Sequence, residues 1–278
     1  TLRTSSAASD VYKRQSDDEV ALDILTSRAK VILSTTGPFH RYGSKLVASC
    51  VKNSANYVDI TGENFWVKGL IAKHHEDAAA KGIRIIPSCG YDSIPSDLGV
   101  FYSAKALNKP IKRIESFHSW EGGASGGTLE TMFSMGDLDL GEDLLDPYLL
   151  NPKDSYTQEQ KEQSSDRVGI AKKNEINAWS GPFIMATANT RVVRRTEALL
   201  SLRQESYGSN FTYQEHALHN TWFSAFKSIV ITAISVLVLM SPLKRAVKPF
   251  LPKPGEGPSE TVQENGWFDC KYIVETED

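Results

Sequence analysis

Glycine residues, a tyrosine and acidic residues follow three short apolar runs in the first hundred residues. The runs cover residues 31–36, 57–60 and 83–88, and they end in Gly37-Pro38-Phe39, in Thr61-Gly62-Glu63 and in Cys89-Gly90-Tyr91-Asp92. Glycine allows a backbone to approach a ligand closely, and tyrosine and carboxyl groups can give or take a proton. Residues of these types, placed directly after apolar runs, could bind a ligand and move a proton beside it.

The elements that must position these groups alternate along the chain. A strand, a helix, a strand, a helix and a strand follow one another between residues 31 and 99, which predicts a parallel sheet. Such a sheet binds its ligand at the carboxyl ends of the strands, where the three glycine-bearing turns fall. The first strand is apolar over most of its length, so we expect it to be covered on both faces.

Composition excludes several classes of protein. The 278 residues carry a formal net charge of −3 without a strong basic block, which argues against sequence-general binding of nucleic acid. The three cysteines, Cys50, Cys89 and Cys270, form no CxxC pair. This usage indicates a reducing compartment and argues against a disulfide scaffold or a zinc site.

The first fifteen residues do not read as protein sequence. They resemble the translation of a sequencing adapter, and we interpret 1–15 as an artefact that fold reasoning should exclude. A natural tail is the alternative. If these residues come from an adapter, the sequence of the protein itself starts at Ser16, partway through a domain.

The second half of the chain holds a glycine-rich loop and a polar excursion. Backbone amides at Ser125, Gly126, Gly127 and Thr128 could bind an anion or an acyl carbonyl, and a flexible connector is an equal alternative. Residues 137–178 are polar, and we expect them to form a lid or a partly disordered excursion.

Two groups of basic residues further along invite a functional interpretation. Arg191, Arg194 and Arg195 could grip a phosphate or acidic group, but the pattern favours a solvated face. His216 and His219 have a metal-like spacing without an acidic or cysteine companion, so we interpret them as structural and expect no metal.

An apolar segment spans residues 222–243. Its centre, 229–240, holds no charge and would give roughly 18 Å of helix, short of the ~30 Å hydrocarbon core of a bilayer. The aromatic and basic flanks favour an in-plane or hairpin membrane anchor, and a buried core helix is the alternative.

Six motifs in this order resemble the saccharopine dehydrogenase-like oxidoreductase family. Within it, they are most similar to the lipid-linked branch, the trans-acting enoyl reductases and their animal and fungal relatives. The motifs span nearly all of 16–278 and comprise residues 36–43, 57–63, 89–99, 125–128, 189–195 and 254–258.

The resemblance implies an α/β protein with a truncated Rossmann-type parallel sheet at 16–108 and a second α/β (mixed-sheet) domain at 109–278. It implies an NADP cofactor, with NAD as an alternative, held by Thr36, Gly37, Pro38, Phe39 and Gly90. The family's glycine-rich phosphate turn is absent from the sequence, and we expect it upstream of Ser16. A fragment without that turn would not itself be expected to bind NADP.

The resemblance also implies reduction of an enoyl or acyl-lipid intermediate in glycolipid metabolism. That reaction needs a proton donor and a group that polarises the carbonyl. Tyr91 and Asp92 are the first candidates and Tyr42 the next, although Asp92 could equally cap a turn. Asp59 and Glu63 could instead hold the loops by hydrogen bonds. No Ser-His-Asp or Cys-His order fits the sequence.

Two further functional hypotheses are compatible with the resemblance. One is a catalytically silent scaffold on a membrane or lipid droplet, and a less favoured one is a soluble amino-acid dehydrogenase of the saccharopine type. We expect a lipid or acyl substrate, no nucleic acid, and association with the cytoplasmic face of a membrane or with a lipid droplet. A cytoplasmic location is the alternative, and a homo-oligomer is compatible with the sequence.

Overall fold

The computed structural model describes residues 17–278, so the adapter-like segment 1–15 lies outside the described residues. The α/β class predicted from the sequence is confirmed. The helices are α1 (Glu19–Ser27), α2 (Phe39–Lys52), α3 (Asn64–Ala80), α4 (Ile94–Leu107), α5 (Gly126–Met135), α6 (Gln158–Gln163), α7 (Ala186–Ser201), α8 (Trp222–Met240), α9 (Lys244–Val247) and α10 (Glu260–Asn265). The strands are β1 (Val31–Ser34), β2 (Asn56–Asp59), β3 (Ile85–Ile86), β4 (Ile111–Glu121), β5 (Ala171–Lys173), β6 (Ala178–Gly181), β7 (Thr212–His219) and β8 (Trp267–Thr276).

These elements belong to two compact units built from interleaved segments. The first unit takes the chain up to Gly90 and adds Gly122–Asp139 and Val238–Asn265. The second unit takes Tyr91–Glu121, Leu140–Leu237 and Gly266–Asp278. The boundaries of these units differ from the single domain boundary near residue 108 that the resemblance implies. Each unit contains segments that are distant from one another in the sequence.

The first unit contains the parallel sheet that the sequence predicts. Its order is β1-β2-β3, with Leu33 opposite Val58 and Val58 opposite Ile86. The expectation that β1 is covered on both faces is wrong for this chain. Ile32 and Ser34 are buried, whereas Val31 and Leu33 on the other face are 55% and 69% exposed.

Close contact between α2 and α3 fixes the helices beside this sheet. A Cβ atom added to Gly43 of α2 would lie 2.5 Å from the indole of Trp66 in α3. The same indole donates to Ser44 Oγ at 2.9 Å and lies 5.8 Å from the Phe39 ring. Only a residue without a side chain allows the helices to approach so closely.

The second unit contains a mixed sheet in the order β5-β6-β7-β4-β8. β4 runs parallel to β7 and antiparallel to β8, which pairs along it from Glu121 to Ile111. The core under α4 and α7 joins residues from both helices and from β4 and β7, namely Val100, Val193, Ile114 and Tyr213.

The polar excursion is anchored by the arginines of α7. Arg191 donates to Asp166 and to the carbonyl of Asp146, and Arg194 donates to the carbonyls of Pro147, Ser164 and Tyr213. Arg195 donates to the carbonyl of Leu150. Both predictions for this cluster, a phosphate grip and a solvated face, are therefore wrong. Arg191 and Arg194 are buried, and all three guanidinium groups bind the segment that the sequence suggested was a lid.

The apolar segment forms α8, a single helix of 19 residues with a mean hydropathy of 2.1. Its length is about 28 Å at 1.5 Å per residue, longer than the uncharged run alone suggests. Ala225 is its one buried residue, which contradicts the alternative of a buried core helix. By length and composition α8 could cross a membrane, although a single helix of this kind is weak evidence for one.

Candidate functional site

The turn after β1 is held by a buried carboxylate. Gly37 and Pro38, joined by a cis peptide bond, lead into α2, whose first two amides point at Glu63. The Phe39 amide donates to Glu63 Oε1 at 2.6 Å and the His40 amide donates to Oε2 at 2.8 Å. A carboxylate at a helix N-terminus is stabilised by the free amides and by the helix dipole. Glu63 therefore fixes the turn that the sequence assigns to the cofactor.

The same carboxylate begins a chain of three side chains. His40 Nδ1 lies 2.5 Å from Glu63 Oε2, and His40 Nε2 lies 2.9 Å from Ser134 Oγ. The order of residues along the chain gave no sign of this contact, because His40 and Ser134 are 94 positions apart. Ser134 is buried at 2% exposure, so its hydroxyl cannot attack a bulky substrate, and the arrangement orients His40 rather than forming a nucleophile.

Asp59 joins the ends of the other two strands. It accepts the amides of Thr61 and Ser88, both at 2.9 Å, and the hydroxyl of Tyr57 at 2.8 Å. Burial raises the pKa of this carboxyl, while the two amides and the phenol oppose that rise. The expectation that Asp59 and Glu63 hold the loops is confirmed by these contacts.

Glycines allow close packing at the carboxyl edge of the sheet. A Cβ atom on Gly37 would lie 3.3 Å from Thr131 Oγ1 of α5, and one on Gly90 would lie 3.1 Å from Ile60 Cβ. Thr36 is half-buried beside Gly37, while Pro38 and Phe39 are buried. The neighbours of both glycines therefore leave little space for a side chain at either position.

Among the described residues, the start of α2 is the first place to test for the pyrophosphate of a nicotinamide dinucleotide. The first amides of α2 are already bound to the negative carboxylate of Glu63, so this helix terminus does not suit a pyrophosphate.

The glycine-rich loop caps α5. Ser125 is the N-cap, and its hydroxyl accepts the Thr128 amide at 3.3 Å. The Gly126 amide donates to the carbonyl of Glu256, and a Cβ atom at Gly126 would lie 1.9 Å from the Lys253 carbonyl oxygen. Two of the amides suggested for an acyl group therefore already have partners. Substrate binding by residues 125–128 stays a prediction.

The other predicted catalytic residues lie at the ends of helices. Tyr91 and Asp92 belong to the second unit, just before α4, and Tyr42 belongs to the first turn of α2 in the first unit. Tyr91 is 50% exposed, and its ring meets the edge of Phe268 at a centroid distance of 4.8 Å. Burial raises the pKa of Asp92, which favours its protonated form.

Sequence reasoning missed His40 and Ser134. His40 directly follows the Gly37-Pro38-Phe39 turn, so its position was a usable signal. Ser134 gives no such signal, since its contact depends on where α5 packs within the first unit. His216, interpreted as structural, bonds to Glu115 at 3.1 Å, as that interpretation requires.

Comparison with known proteins points to one group. No protein-family model matches the chain. It is 34% identical over 277 residues to a trans-acting enoyl reductase of Mycobacterium tuberculosis, covering 92% of this chain and 65% of that protein. The corresponding values are 34%, 92% and 66% for the trans-acting enoyl reductase of Mycobacterium ulcerans and 32%, 92% and 66% for that of Mycobacterium leprae.

The chain thus spans slightly less than two thirds of the length of these relatives. A solved apo saccharopine dehydrogenase (L-Glu forming) of Saccharomyces cerevisiae is 13% identical, with a TM-score of 0.38 over 73% of this chain and 43% of that one. A likeness at that level is too low to support an assignment. Over 92% of its length, this chain is similar in sequence to the trans-acting enoyl reductases.

Proposed function

We propose that this chain is the main part of an oxidoreductase that uses a nicotinamide cofactor, NADP or alternatively NAD. Its substrate would be an enoyl or acyl-lipid intermediate of glycolipid metabolism. The observation that carries the proposal is the 34% identity, over nearly the whole chain, to proteins named trans-acting enoyl reductases. The turn at Gly37, held by Glu63, supports it from the geometry.

Several residues of the first unit have defined roles in this proposal. The turn at residues 36–39 and Gly90 would hold the ring end of the cofactor, which supplies hydride when bound. Glu63 keeps the turn in place through the amides of Phe39 and His40, and Asp59 ties the ends of β2 and β3. Preorganised loops of this kind lower the cost of orienting two reactants.

The proton would be given near Tyr91 and Asp92. A buried carboxyl with a raised pKa keeps its proton at a higher pH than an exposed one, as a general acid requires. In the full-length protein, which all of the NADPH experiments described below use, we expect the double variant Tyr91→Phe/Asp92→Asn to lose reduction of a crotonyl thioester and to retain NADPH binding. The readouts are NADPH oxidation by absorbance and NADPH binding by fluorescence titration.

The matched control is Tyr102→Phe/Asp154→Asn, at two exposed residues, and it should change neither quantity. Turnover that is unchanged in the Tyr91/Asp92 variant would remove both residues from the mechanism. Loss of NADPH binding together with turnover would instead indicate a role in holding the cofactor.

A second candidate is a scaffold without catalysis that attaches to a membrane or lipid droplet. The exposed apolar surface of α8 favours it, since Ile231, Ile234 and Leu237 are each more than half exposed. Large exposed apolar patches commonly mark interaction sites. Wild-type protein that binds lipid vesicles but neither binds nor oxidises NADPH would support this candidate over the reductase.

A further inference from the structure

A continuous chain of polar side chains crosses the interior of the second unit. It lies on the face of the mixed sheet that α4 and α7 cover. The residues, in order from the interior outward, are Glu215, Tyr213, Ser116, His118 and Cys270. The successive distances are 2.7 Å for Tyr213 Oη to Glu215 Oε1, 2.8 Å for Ser116 Oγ to Tyr213 Oη, 2.8 Å for Ser116 Oγ to His118 Nε2, and 3.1 Å for His118 Nδ1 to Cys270 Sγ.

Glu215 is the buried end of this row of hydrogen-bonded side chains. Its other oxygen, Oε2, accepts the Asn189 amide at 3.0 Å, and Asn189 Oδ1 accepts the Ser93 hydroxyl. Burial raises the pKa of Glu215 to about 7, against the lowering effect of Tyr213, Asn189 and the charge of Arg194. The carboxyl therefore changes protonation near neutral pH.

The groups that face Glu215 come from several elements. Arg194 of α7 lowers its pKa, as do the hydrogen bond from Tyr213 on its own strand and the nearby Ser96 of α4. From β8, Cys270 and Tyr272 experience its charge, which raises the pKa of each. His118 of β4 reaches it through Ser116 and Tyr213.

The three side chains in the middle of this row, Tyr213, Ser116 and His118, can pass a proton in either direction. Hydroxyl groups both donate and accept, and a neutral imidazole donates from one nitrogen while it accepts at the other. Burial lowers the pKa of His118 to about 4, so the ring is neutral at pH 7. Its ring stacks on Phe183 at 4.6 Å, which fixes both nitrogens toward their partners.

Cys270 is the outer end and lies beside aromatic side chains. It is half-buried, and on β8 it lies two residues from Phe268, which pairs with Trp120 and contacts Tyr91. These three rings are each about half exposed, and we call them the aromatic rim. Burial raises the pKa of Cys270 to about 11, so the thiol keeps its proton and is a proton carrier rather than a nucleophile.

We propose that these five side chains form a proton relay that delivers the proton of an enoyl reduction from Glu215 to an acyl group on the aromatic rim. This inference rests on the proposed function, which supplies the hydride from a nicotinamide donor. It replaces Asp92 by Cys270 as the immediate proton donor and retains Tyr91 as part of the aromatic rim. Neither Glu215 nor Cys270 was singled out by the motifs in the sequence.

The transfer balances as a series of proton shifts without electron flow along the chain. After hydride has added to the β-carbon, the α-carbon of the enolate takes the Cys270 proton, and the sulfur takes the proton of His118 Nδ1. His118 Nε2 takes the Ser116 proton, Ser116 takes the Tyr213 proton, and Tyr213 takes the Glu215 proton. Glu215 is left as a carboxylate, every other member regains its proton, and solvent reloads the relay in reverse.

The first test asks whether Glu215 is protonated near neutral pH in the folded protein. The infrared spectrum of wild-type protein should contain a protonated-carboxyl band at pH 6 that weakens toward pH 8 and is missing from Glu215→Gln. A difference spectrum without that band would overturn the proposal. Because Glu215→Gln replaces a fully buried side chain, circular dichroism must first show that it folds.

The second test asks whether Glu215 and Cys270 titrate together. Mass spectrometry would follow alkylation of Cys270 by iodoacetamide across pH, with Cys89 in the first unit as the internal control. Coupled groups share their titration steps. We therefore expect an inflection near pH 7 in wild type, its loss in Glu215→Gln, and alkylation at pH 8 about tenfold faster in that variant, equivalent to about one pKa unit.

Tyr213→Phe separates a relay from simple charge repulsion. It removes the middle hydroxyl and leaves the charge of Glu215 in place, so a relay loses at least tenfold in the rate of crotonyl thioester reduction, whereas charge repulsion alone leaves that rate unchanged. An unchanged rate in Tyr213→Phe would overturn the relay. If Tyr213→Phe does not fold, Cys270→Ser, at the half-buried end, should retain part of crotonyl thioester reduction, and Cys270→Ala should lose at least tenfold. Equal rates in those two variants would also overturn it.

These results separate the relay from the proposed function. Wild-type protein that shows the shared titration but reduces no crotonyl thioester with NADPH contradicts the reductase and the purpose of the relay, while the linkage itself stands. If wild type and Tyr213→Phe reduce the thioester at the same rate, the reductase is supported and the relay is contradicted.

Discussion

Glu63 shows how much a single buried charge can hold in place. Its carboxylate has 0% exposure and binds two backbone amides and one imidazole. Hydrogen bonds to a charged group are worth about 1.5–3 kcal/mol each when one partner is removed. We expect Glu63→Gln, which retains one oxygen, to lower the free energy of unfolding by about 2–3 kcal/mol. Urea denaturation measures this change.

Glu130 is the matched control for Glu63. It pairs with Lys248 at 2.8 Å and is partly exposed, so Glu130→Gln should cost about 1 kcal/mol or less. Equal losses in the two variants would show that Glu63 acts as an ordinary surface charge.

Glu115 should give the stability of the protein an acid-sensitive component. Hydrogen bonds from His216 and Lys173 lower the pKa of its carboxyl to about 2, from 4.5. Between these values the unfolded state binds more protons, so stability rises with pH and is lost as the pH falls from about 4.5 to 2. The full effect is about 3 kcal/mol at most. In Glu115→Gln, urea midpoints measured from pH 5 to pH 3 should fall less steeply than in wild type; an unchanged slope would contradict the shift.

Between elements, the approach of α2 to α3 depends on Gly43. An added methyl group would meet the Trp66 ring at 2.5 Å, so we expect Gly43→Ala to destabilise by about 1–3 kcal/mol through overpacking. Gly69 lies in the exposed interior of α3 with nothing within 4 Å of an added Cβ. Gly69→Ala should therefore stabilise by about 0.5–1 kcal/mol. Thermal unfolding of both variants checks that the signs are opposite.

The attachment of residues 140–166 to α7 depends on Arg194. Its guanidinium satisfies three carbonyl groups, and Arg194→Met would leave them buried without a donor. We expect a loss of at least about 3 kcal/mol and faster amide hydrogen exchange in residues 144–166. The exposed Arg203→Met is the control, and exchange in that segment that is the same in both variants would contradict this role.

Local patterns predicted the strands and the first turn but not the partners of the polar groups. The apolar runs at 31–36 and 57–60 are local features of the sequence, so β1 and β2 could be predicted from them. Arg194 looked like a surface residue because nothing local shows that α7 lies under the excursion. Glu63 was foreseen as a loop holder since it follows β2, whereas Ser134 reaches His40 only through the packing of α5.

For the molecule as a whole, the prediction of membrane contact rests on α8. Its exposed face, including Ile231 and Leu237, is the surface through which we propose that the protein meets a membrane. A charge placed on the apolar face of such a helix opposes its insertion at the interface. We expect Ile231→Asp/Leu237→Asp to abolish flotation with vesicles of phosphatidylcholine and phosphatidylserine. Leu202→Asp, equally exposed but outside α8, should leave flotation intact.

Flotation that persists in the Ile231/Leu237 variant would assign membrane contact to another segment. Wild-type protein that does not float would contradict membrane association altogether. In that case the exposed face of α8 would need a protein partner.

The interleaving of the two units sets the order in which the molecule can be completed during synthesis. The first unit needs residues up to Asn265, and the second needs Gly266–Asp278 in addition to its earlier segments. β8 follows β4 in the chain by roughly 150 residues, yet it pairs along the whole of β4. Until that strand arrives, β4 presents an unsatisfied edge of backbone donors and acceptors. The nascent chain therefore depends on chaperones, or on rapid synthesis, for longer than a protein of the same length whose units follow one another.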